Sequence, residues 1–156
     1  MPLALRETIK LAEDTFRLIS DEGIFPKKSR WLMSHEMSKI VNRIHTTAMF
    51  ANGIDIDNAM DAERPLLYLI RVTSLAITLA WMKALDAKMS LSLDVMQTNA
   101  NKYAVWGRQY NKTRHSIQDW RRADIKRYTD KYGKLSALDA RGIAALLSKL
   151  IEGIIG

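Results

Sequence analysis

The feature that most constrains this chain is an apolar spacing that alternates between three and four positions in four successive stretches. Such spacing places apolar side chains along one face of an α-helix. Glycine or proline interrupts the pattern between or after stretches. The predicted helices span residues 4–21, 27 or 29–52, 61–88, and 90 or 92–132. Because short loops favour antiparallel neighbours, the sequence predicts an all-α, up-down four-helix bundle.

Each predicted helix has one stripe of residues expected to face the core. The stripes are Leu5, Ile9, Ala12, Phe16 and Ile19; Met33, Met37, Ile40, Ile44, Thr47 and Ala51; Leu66, Ile70, Thr73, Ile77, Ala80 and Ala84; and Met96, Asn99, Tyr103, Trp106, Tyr110, Thr113, Ile117 and Trp120. The third helix is apolar on further faces, so we expect it either to sit centrally or to face both the bundle and another subunit. The fourth is predicted to extend for roughly 60 Å, with a basic end that projects beyond the bundle.

Residues 1–134 are predicted to form the bundle, and residues 135–156 an appended segment with a short amphipathic helix at about 136–155. The most apolar window, residues 65–85, is about long enough to span a bilayer, but Arg71 and Lys83 interrupt it. We therefore interpret it as a buried helix and expect no membrane association. The N-terminus lacks the pattern of a secretory leader, so a cytoplasmic location is expected.

The positive charge of this chain is confined to one segment. Residues 101–134 contain ten basic and three acidic residues, which accounts for the whole net charge of +7. Six of the twelve aromatic residues share the segment. Localised positive charge is typical of proteins that bind polyanions, and nearby aromatic rings can stack on unpaired bases. Two alternatives stay open, namely an acidic protein partner and a solvated helix face with core aromatics behind it.

Most catalytic and metal-binding patterns are missing from the sequence. The absence of cysteine excludes disulfides, thiol catalysis and cysteine-ligated metals. Asp55 and Asp57 resemble the start of a calcium loop, but Ala59, Met60 and Leu66 replace the later ligands and the required glycine. The histidine spacing does not fit a zinc site, and no glycine-rich phosphate loop is present. We therefore expect a non-enzyme without a metal or other cofactor.

The run Phe25-Pro26-Lys27-Lys28-Ser29-Arg30, which opens the second predicted helix, resembles a motif of small bacterial four-helix-bundle proteins. These include proteins encoded in ribosomal-RNA intervening sequences and the accessory variability determinant (Avd) proteins of diversity-generating retroelements. The resemblance continues through Ala51-Asn52-Gly53, Arg71 and Gly107-Arg108, and covers about residues 5–115.

The Avd resemblance implies a pentameric barrel of four-helix bundles with a basic surface. It also implies binding to a reverse transcriptase and its template RNA as a non-enzymatic accessory subunit. The alternative is a structural or interaction bundle, similar to the intervening-sequence proteins, that docks an acidic protein partner.

Phosphate contacts are expected from the basic side chains of the fourth helix. The predicted residues are Arg108, Lys112, Arg114, Arg121, Arg122, Lys126 and Arg127, with Lys27, Lys28 and Arg30 as a second group. Both residue types neutralise phosphates, and arginine also offers paired hydrogen bonds. RNA is the expected ligand, with DNA as a further candidate.

Overall fold

A computed structural model describes residues 2–25, 27–96 and 100–133 of this protein. These residues form four helices: α1 (Leu3–Ser20), α2 (Lys27–Gly53), α3 (Arg64–Met96) and α4 (Ala100–Tyr132). Each helix packs against the next along the chain, and α4 packs back against α1. The predicted all-α four-helix bundle is therefore confirmed. The predicted C-terminal segment, residues 135–156, lies outside the described residues.

Contacts between helices show that neighbours run antiparallel. Thr8, near the start of α1, has its hydroxyl 3.0 Å from Nδ1 of His45, near the end of α2. Arg71, in the first half of α3, donates to the carbonyl of Ala51 near the end of α2 at 3.1 Å. The same guanidinium donates to Asp124, near the end of α4, at 2.7 Å. The chain therefore has the up-down arrangement that the short loops predict.

The core seam of α3 differs from the predicted one. Eight buried residues are again spaced by three and four, namely Tyr68, Arg71, Leu75, Thr78, Met82, Leu85, Met89 and Ser92, and Ser74 is buried beside them. The predicted stripe lies largely on the outer face, where Thr73 and Ala80 are exposed and Ile77 is 44% exposed. Because both stripes have the same periodicity, spacing alone could not identify the buried one. The helix packs on two neighbours, so a central position for it is wrong.

The buried face of α1 is also rotated from the predicted stripe. Leu5 and Ile19 are buried as expected, whereas Ile9 and Phe16 are exposed. Thr8 and Thr15 lie in the core beside Leu11 and Leu18. Their hydroxyls donate to backbone carbonyls one turn earlier, at 2.8 and 2.7 Å. These local hydrogen bonds satisfy the buried hydroxyls, which explains why two polar residues occupy core positions.

The stripe predicted for α2 agrees with the structure. Met37, Ile40, Ile44 and Ala51 are all buried.

The boundary between α3 and α4 lies later than predicted, because α3 continues to Met96 and α4 begins at Ala100. The sequence predicts Ser90 or Ser92 as the residue that caps the start of α4, but Ser92 does not cap it. It is instead buried within α3, where its hydroxyl donates to the Met89 carbonyl and lies 2.8 Å from the Tyr103 hydroxyl. Met96 therefore belongs to α3, and predicted position Asn99 lies outside the described residues.

From Tyr103 onward the predicted α4 stripe is correct. Tyr103, Trp106, Tyr110, Thr113 and Ile117 are buried.

The C-terminal end of α4 does not project beyond the bundle. Tyr128 is buried against Ile56 and Tyr68, which belong to the loop after α2 and to the start of α3. Both α3 and α4 contain 33 residues, so the two helices match in length. Gly133 follows α4 with φ of +72°, a conformation that glycine adopts readily and that ends the helix as predicted.

One stretch of α3, Arg64–Asp94, is long and apolar enough to cross a membrane by length and composition. Core helices of water-soluble bundles pass the same test, and one face of this helix forms part of the bundle core. The absence of membrane association stays a prediction.

Candidate nucleic-acid interface

A buried ion pair helps to set which face of α4 points outward. The Arg71 and Asp124 side chains are only 10% and 6% exposed, and Arg71 Nε donates to the Asp124 carboxylate at 2.7 Å. Arg71 Nη1 also donates to the carbonyls of Ala51 and Ile54, at 3.1 and 2.9 Å. The guanidinium thereby joins the end of α2 to α4. Since Asp124 must face inward, the residues opposite it on α4 must face solvent.

The buried aromatic rings of α4 cannot stack on nucleic-acid bases. Tyr103, Trp106, Tyr110 and Tyr128 have at most 7% of their surface exposed. The Trp106 indole donates to the Thr15 hydroxyl at 3.0 Å. The clustering of aromatics in the basic segment therefore reflects the core for these four rings, and they leave phosphate contact to other side chains of α4.

One row of basic residues lies along the exposed face of α4. Arg108 and Arg122 are separated by two heptads, with His115 halfway between them, and Lys126 follows one turn later. All four side chains are exposed. At 1.5 Å per residue, the row from Arg108 to Lys126 is about 27 Å long. We call these four residues the outer basic row.

Most of the charge in the outer basic row is available to a ligand. Arg108 and Lys126 form no ion pair with another described residue. Arg122 lies 3.8 Å from Asp119, and both side chains are about three-quarters exposed. Such exposed pairs contribute little and are screened by salt, so Arg122 can exchange this partner for a phosphate.

Two further arginines, Arg114 and Arg121, lie on the side of α4 that borders α3. They follow Tyr110 and Ile117 by four residues each, and burial together with the charge of Asp86 on α3 raises the pKa of Tyr110. Arg114 is exposed, whereas Arg121 is partly buried. Among the described residues, Arg121 Nε is shielded from solvent and has no hydrogen-bond partner. The structure therefore places these two cations beside the outer basic row.

Lys112 is partly committed to an internal partner. Its ammonium group lies 3.1 Å from the carboxylate of Glu7 on α1, whose side chain is 7% exposed. Gln109 donates to the same carboxylate at 2.8 Å. Burial acts to raise the pKa of Glu7, but hydrogen bonds from Gln109 and Lys112 and the charges of Lys112 and Lys10 outweigh it and lower the pKa. Lys112 is therefore a weaker candidate for phosphate contact than the outer basic row.

The first helix adds a cation that the sequence did not indicate. Lys10 lines a shallow groove of about 400 Å³ between α1 and α4, together with Arg108, Lys112 and the half-exposed Val105. The buried face of α1 is rotated around the helix axis from the predicted stripe, so spacing could not identify the residues that face α4. A corrected assignment of that face would have placed Lys10 beside α4.

Arg127 belongs to a separate cluster at the C-terminal end of α4. It forms an ion pair with Asp57, from the loop between α2 and α3. Lys131 Nζ and the Tyr132 hydroxyl each lie 2.7 Å from the same carboxylate. Hydrogen bonds from Lys131 and Tyr132 hold the pKa of Asp57 well below its usual range, and Arg127 lowers it further. We call these four residues the Asp57 cluster.

Lys131 and Tyr132 were not among the predicted site residues. The spacing of four positions from Arg127 to Lys131 was a usable signal, because side chains four residues apart on a helix are neighbours. The five positions from Arg127 to Tyr132 gave no such signal. Their carboxylate partner lies about 70 positions earlier and could not be inferred from local spacing.

The second predicted group is not brought together with the C-terminal half of α4. Lys27, Lys28 and Arg30 lie in the first turn of α2, and their side chains are outside the described part of the structure. Both α2 and α4 begin near the end of α1. The Ser34 hydroxyl lies 3.5 Å from the Ile19 carbonyl, and Lys102 pairs with Asp21. Residues near the end of α4 therefore lie at the opposite end of the bundle.

Neither metal ligands nor known relatives suggest a different site. Within residues 2–25, 27–96 and 100–133, no group of three or more histidine, aspartate or glutamate side chains could hold a metal ion. Comparisons with models of protein families, curated proteins and solved structures give no match. The expectation of a non-enzyme without a cofactor stays a prediction.

Proposed function

We propose that this protein is a non-enzymatic accessory protein that binds RNA through the basic face of α4. The observation that carries the proposal is the outer basic row, whose cations are exposed and largely free of strong internal partners. Arg114 and Arg121 widen this surface towards α3. The phosphates of an RNA strand laid along this 27 Å row would supply the counter-charges that these cations lack. Because the buried aromatic rings cannot stack on bases, contact with the RNA backbone is the main mode of binding.

The resemblance of residues 5–115 to the Avd proteins leads us to propose an Avd-like role with a reverse transcriptase as protein partner. It also leads us to propose that the bundle assembles into a homo-oligomer, specifically a pentamer. Exposed apolar residues support assembly, because Phe16 on α1 and Ile77 on α3 face outward. DNA is a second polyanion that the same surface would accept, and the cytoplasm is the expected location.

The proposal predicts a specific dependence on salt. If about five cations contact phosphates, the affinity for RNA should fall roughly a hundred- to five-hundredfold between about 50 and 200 mM salt. Fluorescence anisotropy of a labelled structured RNA measures this directly. Absence of binding at the lower salt concentration would contradict the proposal.

A matched pair of variants locates the binding surface. Arg122→Glu with Lys126→Glu reverses two charges four residues apart on α4. Lys39→Glu with Arg43→Glu makes the same change at the same spacing on α2, across the bundle from α4. The α4 variant should lose at least tenfold more affinity than the α2 variant at about 100 mM salt, since only it removes direct phosphate contacts. Equal losses would mean that net charge alone governs binding.

A second candidate function is docking of an acidic protein partner, as in the alternative drawn from the intervening-sequence proteins. Val105 favours it, because this apolar side chain is 55% exposed between cations of α1 and α4. Protein interfaces commonly combine an apolar centre with a charged rim, whereas phosphate contact requires no apolar centre. A wild-type protein that fails to bind RNA at low salt would make this the better account.

A further inference from the structure

We infer that the Asp57 cluster is a phosphate-binding site that the protein's own Asp57 carboxylate occupies. The inference deepens the proposed function and rests on it for the identity of the larger ligand. It adds Lys131 and Tyr132 to the surface of α4 and gives Asp57 the role of an internal competitor.

The donors around Asp57 match what a phosphate group requires. Arg127 supplies a guanidinium, Lys131 an ammonium group and Tyr132 a hydroxyl, and all three address one carboxylate. Oxyanions of phosphate accept charge-assisted hydrogen bonds from the same groups. The cluster contains two cations and one anion, so it stays positively charged even with Asp57 in place.

The cluster is open to a ligand from solvent. The side chains of Arg127 and Lys131 are each 54% exposed, and that of Asp57 is 30% exposed. Exposed ion pairs are weak and salt-sensitive, so a phosphate that offers more acceptor oxygens can replace the carboxylate. Displacement of Asp57 therefore requires no opening of the core.

The loop that carries Asp57 is held in place by other contacts. Ile56 is fully buried in the small core with Tyr68 and Tyr128. Arg64 donates to the carbonyls of Ile56 and Ala59, at 3.3 and 2.9 Å. The Asp57 side chain can therefore turn away from α4 while the loop backbone stays where it is.

The remaining donors are also held in position without Asp57. The Tyr132 ring stacks on Tyr128 with centroids 6.2 Å apart and an interplanar angle of 12°. The Arg64 guanidinium lies 4.3 Å from the centroid of the Tyr132 ring. Arg127 and Lys131 lie 4.8 and 5.0 Å from the centroids of the Tyr128 and Tyr132 rings. A phosphate that enters would therefore find the hydroxyl and both cations already placed, which lowers the entropic cost of binding.

The decisive variant is Asp57→Asn, which keeps the size of the side chain and removes its charge. It should bind RNA about three- to tenfold more tightly than the wild type at low salt, since Arg127 and Lys131 become available. Each new phosphate contact adds about 0.9 to the slope of log affinity against log salt, so the slope should steepen by roughly one to two.

A neighbouring residue provides the matched control. Asp61 lies in the same loop, has a side chain that is 94% exposed, and pairs with Arg64 rather than with α4. Asp61→Asn makes the same change in net charge without freeing Arg127 or Lys131. If only net charge mattered, Asp57→Asn and Asp61→Asn would raise the affinity for RNA equally. Adding Lys131→Met to Asp57→Asn should remove much of the gain.

Inorganic tripolyphosphate, measured by isothermal titration calorimetry, separates the site from its larger ligand. If Asp57→Asn binds both RNA and tripolyphosphate more tightly than Asp61→Asn does, the inference is supported and RNA supplies the phosphate that the site binds. A gain with tripolyphosphate alone supports the site and points to free polyphosphate. If no variant binds RNA, the proposed function fails while the tripolyphosphate comparison still decides the site. Equal behaviour of the two variants with tripolyphosphate and with any RNA that binds overturns the inference.

Discussion

Replacing Arg71 by methionine should destabilise the bundle strongly, because it strands a buried charge. The Asp124 carboxylate would stay in a site where its residue is 4% exposed, without its guanidinium partner. The carbonyls of Ala51 and Ile54 would also lose the donor that lies 3.1 and 2.9 Å from them. Removing one partner of a buried ion pair costs about 3–5 kcal/mol. We therefore expect the free energy of unfolding to fall by about 4 kcal/mol.

The double variant Arg71→Met with Asp124→Leu tests the reasoning behind this magnitude. It removes both charges, so the stranded carboxylate no longer contributes, and replacing a complete buried pair by apolar residues is often close to neutral. The two carbonyls stay without their donor, which costs about 1–3 kcal/mol. The double variant should therefore be more stable than Arg71→Met alone, with a coupling energy of at least about 2 kcal/mol.

Urea denaturation followed by circular dichroism measures all the variants of this cycle. The exposed pair between Lys39 and Glu36 is the control, since its side chains are 52% and 47% exposed. Its coupling energy should stay below about 0.5 kcal/mol. If the two substitutions change the free energy of unfolding additively, the buried pair of Arg71 and Asp124 does not couple α3 to α4, and the reasoning is refuted.

Two further predictions concern α1 and α4. Gly107→Ala should stabilise the bundle by about 0.5–1 kcal/mol, because glycine is unfavourable inside a helix and an added Cβ meets nothing within 4 Å. A Tm of the variant below that of the wild type would show that another chain packs there. The pKa of Glu7 is lowered in the folded state, so its stabilising effect is present above about pH 4.3 and is lost as the pH falls through the folded pKa. The Tm difference between the wild type and Glu7→Gln should therefore shrink in acid, and a difference that stays constant down to about pH 2 would contradict this sign.

The four helices within residues 2–133 that the structure describes and the core face of α2 could be predicted from the sequence, because both depend on local spacing. Met37, Ile40 and Ile44 form a single apolar stripe with no competing one on the same helix, and they are buried as expected. The break between α3 and α4 was predicted too early. Ser92 has the chemistry of a helix cap, but the Met89 carbonyl and the Tyr103 hydroxyl satisfy it inside the core.

The candidate site was only partly predictable. Local composition identified the basic segment, and helical spacing places Arg108, Arg122 and Lys126 along one side of α4. Spacing could not show that Lys112 forms an ion pair with Glu7, or that Arg127 forms one with Asp57, because these acids come from distant parts of the chain. The availability of each cation therefore depends on packing between helices.

The sequence by itself determined the helical class, the order of the helices and the position of the excess positive charge. These properties follow from contacts and preferences within a few residues of each position. Only the tertiary structure decided which of two equivalent stripes on α3 is buried and which cations of α4 face solvent without a strong partner. The physical reason is that burial and ion pairing depend on neighbours across the bundle. Arg71 faces inward on α3 because Asp124 and the end of α2 meet it there.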